Sequence, residues 1–196
     1  MTPTPTVGRA AFVAARARAV RGLRGRVLEI GAGRGANFAD LGPGVEWLGL
    51  ESAAGPRRRL AVNARRHGHL APPIAASAES VPLPASSVDG VLGTTVLCSV
   101  RDPAAVLDEV ARVLVPGGRL VLAEHVAAPP GSGVRALQQA VRPWTRLLDH
   151  GCDPTRDTAA AVARSPLRLE TVTWFLVPVL GRLGVPFVVI EASAPR

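Results

Sequence analysis

Val27-Leu28-Glu29-Ile30-Gly31-Ala32-Gly33-Arg34-Gly35 is the stretch whose reading decides the fold. A short apolar run empties into three glycines at alternate positions, the pattern of a buried strand that ends in a tight turn. Glycine lets the backbone turn sharply and approach a ligand with no Cβ in between. A helix is expected to start at Ala36 and run to Leu41, with its N-terminus aimed at that ligand. Twenty residues after Gly31, Glu51 closes a second apolar run, Val45 to Leu50. A carboxylate at that distance can take a pair of ribose hydroxyls in a fork. The glycines also satisfy G-x-G-x-x-G/A, with Ala36 in the last place, so they do not choose a dinucleotide over another ligand. Glu29 tilts the balance: two residues before Gly31, it would repel a pyrophosphate and attract a cation.

Working outward, strands and helices alternate. Residues 7–21 are rich in Ala and Arg and read as a helix, closed by Gly22 and Gly25. Strands are expected at 26–30, 45–50, 74–77, 88–94 and 119–124. Helices are expected at 56–67 and 103–114, the second ended by Pro116-Gly117-Gly118. Two further helices, 134–148 and 157–164, form an insert, and strands at 167–174 and 186–191 follow. Alternating β and α units imply a parallel sheet, and two closing strands with a short connection imply an antiparallel end. The expected fold is α/β: a Rossmann-like, seven-stranded, mostly parallel sheet with an antiparallel final strand, helices on both faces and a helical insert after strand five. One domain spans 1–196, with an N-terminal helical segment at 1–25 and a substrate-side insert at 127–166.

Composition narrows the partners. The formal charge is +8, yet every one of the 23 basic residues is Arg and none is Lys. With Ala, Gly and Pro abundant, that bias reads as a coding background rather than as a basic binding face. Aromatic residues are 4% of the chain, too few for a base-stacking platform, so no nucleic-acid partner is expected. Cys98 and Cys152 have neither disulfide-framework nor metal spacing and read as reduced, structural thiols of a cytoplasmic protein. No metal site is expected. Proline and glycine interrupt the apolar stretch 174–190, so no membrane span is expected, while peripheral membrane contact and oligomeric state stay open.

VLEIGAGRGANF (27–38), Glu51, AES (78–80), SVDGVLGTTVLCSV (87–100) and LDEVARVLVPGGRLVLAEHV (107–126) together resemble the class I S-adenosylmethionine-dependent methyltransferases. Thr95–Val100, Glu124–Ala128, Gln138-Gln139 and Asp149–Arg156 are similar to the narrower methyltransferase-like thiol S-methyltransferases. The resemblance implies S-adenosylmethionine as cofactor and a small lipophilic thiol as acceptor. Carried over by position, Glu29, Gly31, Ala32, Gly33 and Asn37 would surround the methionine moiety. Glu51 and Ser52 would meet the ribose, Ala78 and Glu79 the adenine, and Thr94 and Thr95 the amino-acid end and methyl group. Arg34 departs from the pattern, putting a cation beside a cationic ligand. The animal members begin with a hydrophobic anchor that is not seen in this chain.

A thiol acceptor, with a pKa of about 8.5, needs little help to ionise, whereas a hydroxyl or a carbon acid needs a base. His125 and Asp149 are the candidate catalytic residues, placed at the carboxyl end of the sheet and in the insert. Trp144, Leu148, Trp174 and Phe175 are the candidate acceptor pocket. The expected enzyme is a small-molecule methyltransferase, thiol favoured. C- or O-methylation of a quinone, lipid or other metabolite is the alternative, and a non-catalytic binding module is a further one.

Overall fold

A computed structural model describes residues 5–148, 151–179 and 183–196. Its elements are β1 (Thr6–Val7), α1 (Arg9–Arg21), β2 (Arg26–Ile30), β3 (Glu46–Leu50), α2 (Ala54–Arg66), β4 (Val88–Thr94), α3 (Pro103–Val113), β5 (Leu114–His125), α4 (Gly133–Leu148), α5 (Thr158–Ala163), β6 (Arg168–Val179) and β7 (Leu183–Ser193). The strands form one seven-stranded sheet in the order β1-β6-β7-β5-β4-β2-β3. The strands β5, β4, β2 and β3 run parallel to one another, and β7 is antiparallel to both β5 and β6. The expected mostly parallel sheet with an antiparallel end is therefore the architecture found.

Two expected elements differ. Of the strand expected at 74–77, only Ile74 is paired, through a parallel bridge to Leu50. Pro72 and Pro73 carry no N–H, so a ladder cannot begin before Ile74. The seventh strand is instead the short β1, which pairs with β6 in parallel. The helix expected from Ala36 shrinks to one 3₁₀ turn, Phe38–Asp40. Gly42-Pro43-Gly44 stops the chain almost at once, and the Asn37 side chain is drawn into the sheet. A helix N-terminus therefore does not serve this turn.

Alternation along the strands builds two cores. Val27, Trp47, Leu92, Val121 and Val189 face α1 and α2 and pack with Phe12, Val20, Leu23 and Leu60. Leu28, Ile30, Val91, Leu120, Leu122 and Ile190 face α3 and α5. The helix α3 shows why its sequence folds where it does. Asp102 Oδ1 accepts the N–H groups of Ala104 (2.9 Å) and Ala105 (3.2 Å), and Pro103 stands at the first turn. Val106, Leu107, Val110 and Val113 are then fully buried, each worth about 1.5–3 kcal/mol. The same alternation sends Glu29 into the α1-side core, and that placement shapes the site.

Candidate cofactor and acceptor site

Glu29 is 2% exposed, which demands partners for its carboxylate. Asn37 Nδ2 donates to Oε1 (2.7 Å) and Trp47 Nε1 donates to Oε2 (2.8 Å). Burial pushes the Glu29 carboxyl up, against the opposing pull of those two hydrogen bonds and the Arg16 charge. Asn37 Nδ2 also donates to Thr94 Oγ1 (3.0 Å), so one amide ties the ends of β2 and β4 together. Asn37 is 1% exposed, and its Oδ1 has no hydrogen-bond partner among the described residues. Each Glu29 oxygen accepts one hydrogen bond inside the core, and Asn37 Oδ1 is a further buried acceptor beside them.

The turn itself is open. Gly31 and Gly33 both sit at φ +57. A Cβ on Gly31 would lie 2.4 Å from Val96 Cγ2, while one on Gly33 would meet nothing nearer than 3.9 Å. Gly31 is needed for close packing, and Gly33 for its backbone angle beneath an open cradle. Glu51 Oε2 accepts the Gly33 N–H (3.0 Å) and its Oε1 accepts the Ala53 N–H (2.8 Å), so this carboxylate reaches the cradle from the end of β3. Ala32 is buried with its N–H on Leu50 O, and Ser52 is exposed beside Glu51. Arg34 is exposed and lines an open groove of about 480 Å³ with Arg58, Arg59 and Arg66 of α2. That groove gives its charge a place outside the turn.

Ala78 is buried and Glu79 half-buried. Burial raises the Glu79 carboxyl, but hydrogen bonds from Ser77 and from the Arg101 N–H (2.8 Å) outweigh it and hold the group below its ordinary range. Its carboxylate braces the loop at 101 instead of standing free. Thr95 follows β4 in the left-handed region at φ +51, exposed, with its N–H on Ala123 O. A β-branched residue there is strained, and such strain clusters at ligand-facing turns.

The acceptor side is less as expected. His125 ends β5, half-buried, with its Nε2 3.2 Å from Cys152 Sγ and its ring edge-on to Phe187. Asp149 lies outside the described residues. The four pocket residues do not converge. Trp144 and Leu148 stand 65% and 76% exposed on α4. Trp174 packs against the α3-side core, while Phe175 is buried on the opposite face, edge-on to Phe12. Adjacent strand residues point to opposite faces, so Trp174 and Phe175 cannot line one pocket. A cleft of about 510 Å³ lies between the starts of α3 and α5, with Asp102, Arg156 and Arg164 on its walls, away from the glycine turn.

Two features escaped the sequence reading. Glu124 is fully buried, and its Oε1 accepts the N–H groups of Val96 (2.8 Å) and Leu97 (3.2 Å). Burial pushes its pKa up to about 7 against those hydrogen bonds. The sequence signal was an acidic residue ending a fully apolar strand. The other feature is the meeting of Cys98, His125 and Cys152. Burial and the Cys152 sulfur push the Cys98 thiol upward, the Cys152 contact most. No spacing rule joins positions so far apart.

Residues 28–122 match the family model described as a methyltransferase domain. That segment of the chain is therefore similar to methyltransferase domains. It is 35% identical over 151 residues to thiol S-methyltransferase TMT1B of Rattus norvegicus, covering 76% of this chain and 62% of that protein. It is 38% identical over 146 residues to the Homo sapiens TMT1B, covering 72% and 60%. The matched stretch thus spans about three-fifths of those relatives' length. In fold it is similar to a methyltransferase-like protein solved from Bacillus halodurans, with TM-score 0.75 and 16% identity over 93% of this chain and 98% of that one. The donor set of the methyltransferase cradle fits the S-adenosylmethionine implied by the resemblance: an unpartnered buried acceptor at Asn37, a carboxylate at Glu51, and an open glycine backbone between them.

Proposed function

We propose that this chain transfers the methyl group of S-adenosylmethionine to a small lipophilic thiol. The observation that carries the reading is Asn37 Oδ1. It is a buried acceptor, fixed by Glu29 and Thr94, and it lacks a partner among the described residues beside an open glycine turn. An ammonium group supplies the hydrogen-bond donor it lacks. Glu51 exchanges its bond to the Gly33 amide for the ribose hydroxyls, with Ser52 beside it, and Ala78 and Glu79 flank the adenine. Gly31, Ala32 and Gly33 provide close backbone, and Thr94 and Thr95 border the reacting end. S-adenosylmethionine brings a methyl group already activated on a sulfonium. The chain's task is to hold an acceptor in line, roughly 3 Å away, and to keep water out.

His125 orients or deprotonates the acceptor, with Asp149 as a second candidate for that work. Trp144 and Leu148 supply apolar surface on the insert, at 127–166 of a single 1–196 domain. The thiol class is supported by the relatives named thiol S-methyltransferases. Among the described residues no helix is long and apolar enough to cross a membrane, and we propose a cytoplasmic site of action. The test is S-adenosylhomocysteine release by purified protein across matched thiols, phenols, quinols and amines, with a no-acceptor control. Turnover confined to thiols is expected. Turnover with quinols or phenols would replace the acceptor but keep the reaction. Tight cofactor binding with no turnover across the panel would favour a binding module.

A further inference from the structure

At the carboxyl end of the sheet, three side chains from separate segments meet. Cys98 follows β4, His125 ends β5, and Cys152 lies in the return from α4. Their potential ligand atoms all lie within 4.8 Å of one another, and Cys152 Sγ is 3.2 Å from His125 Nε2. Zinc, at about 2.3 Å from sulfur and 2.1 Å from nitrogen in a tetrahedron, holds such atoms about 3.5–3.8 Å apart. Closing the cluster on the ion therefore takes shifts of about 1 Å, not refolding.

The cluster is built into the fold. The Asp153 N–H donates to Cys98 O (2.8 Å), and the Arg156 guanidinium donates to Leu97 O. Gly151, at φ +87, comes so close that a Cβ would sit 3.1 Å from Ser99 O. Asp153 is itself held by Arg142 Nε (2.9 Å) and by Thr155. Behind the loop after β4 lies the Glu124 carboxylate, fully buried, with Oε2 lacking a hydrogen-bond partner among the described residues. Two thiols and an imidazole beside a buried, half-satisfied carboxylate form a place where a dication balances charge. The donors are soft, which favours zinc over magnesium or calcium. Among the described residues the cluster offers two cysteines and one histidine, the three-ligand donor set of a catalytic rather than a structural zinc site.

We propose that Cys98, His125 and Cys152 hold a Zn²⁺ ion whose fourth ligand is the sulfur of the acceptor thiol. The second half rests on the thiol reading above; metal binding does not. On coordination R–SH loses its proton to water and is held as R–S⁻. The sulfur–methyl bond forms as the carbon–sulfonium bond breaks, giving R–S–CH₃ and S-adenosylhomocysteine. One proton is released per turnover and the metal keeps its oxidation state. His125 then acts as a ligand, and the metal takes over the deprotonation.

The test is anaerobic loading of the metal-free, full-length protein with Co²⁺, followed by absorption spectroscopy. The expected result is about one Co²⁺ per chain, with thiolate-to-cobalt charge-transfer and tetrahedral d–d bands that Zn²⁺ displaces. These bands disappear in Cys98→Ser and Cys152→Ser, checked for folding by circular dichroism. Butanethiol shifts the bands of the wild type, and butanol does not. Absence of cobalt bands in folded wild-type protein, or a Cys98–Cys152 disulfide in protein prepared without reductant, overturns the site. Bands that ignore butanethiol overturn the fourth-ligand assignment. The spectrum needs no turnover, so a thiol-responsive spectrum without methyl transfer counts against the proposed reaction and upholds the site.

Discussion

Two buried glutamates end neighbouring parts of the same sheet, and their surroundings differ. Glu29, at the end of β2, has an asparagine on one oxygen and a tryptophan on the other. Glu124, near the end of β5, has two backbone amides on one oxygen and no hydrogen-bond partner for the second among the described residues. The first region is a closed network that leaves over one acceptor, on Asn37. The second is an unfinished network beside two thiols and an imidazole. Burying a carboxylate costs several kcal/mol unless it is paired. A finished network rigidifies a binding cradle, whereas an unfinished one keeps a place for a charge that arrives later.

Breaking the finished network is expected to have the largest effect. Glu29→Ala strands the Trp47 N–H and the Asn37 amide in the core. A loss of about 3–6 kcal/mol is expected, from two hydrogen bonds to a charged group at about 1.5–3 kcal/mol each. Urea unfolding measures it, and a loss under 1 kcal/mol would show that the core does not depend on this network. Titration of the metal-free protein probes the other glutamate. The Glu124 pKa is raised from 4.5 to about 7, so the folded state holds the proton more tightly than the unfolded state does. Stability should therefore fall as pH rises from about 4.5 to about 7, by about 3 kcal/mol, and level off above. Glu124→Gln, which keeps an acceptor for Val96 and Leu97, should flatten that slope. An unchanged slope would assign it to another group.

Glu51→Ala sharpens the contrast between holding the fold and holding a ligand. Its carboxylate is half-buried, and its partners are two amides near the surface. Calorimetry should find S-adenosylmethionine binding weakened about ten- to a hundredfold, or about 1.4–2.8 kcal/mol, with stability changed by about 1 kcal/mol or less. Equal losses in both would make Glu51 a structural brace. The smallest effect is expected on α4. Trp144→Ala and Leu148→Ala remove exposed side chains and should shift stability by no more than about 0.5 kcal/mol. Any consequence should be confined to acceptor KM; a change in kcat alone would argue against a role in acceptor contact.

Local pattern made the donor side readable. The apolar run Val27-Leu28-Glu29-Ile30 placed β2, and the glycines announced the turn. The helical stretch from Pro103, stopped by Pro116-Gly117-Gly118, announced α3, and the short link between the last strands announced an antiparallel pair. Each signal is carried by residues within one or two turns of chain, where backbone geometry and hydrophobic period act directly. Position along β2 also marked Glu29 as important, but not how. Whether a carboxylate at a strand end faces ligand or core depends on which neighbours reach it, here Trp47 of β3 and Asn37 of the turn.

What the sequence determined by itself is the order of elements, the parallel sheet with its reversed end, and a glycine turn facing an acidic strand end. These follow from short-range sterics and from the need to bury an apolar face. Tertiary structure alone decided that the chain after the turn is too short for a helix, and that β1 rather than the Ile74 segment completes seven strands. It also put Trp174 and Phe175 in different cores, and brought Cys98, His125 and Cys152 together. That last meeting depends on three segments closing at one end of a sheet, held by the Asp153 and Arg156 contacts. No periodicity encodes such a coincidence, because the distance between those residues is set by packing and not by their separation along the chain.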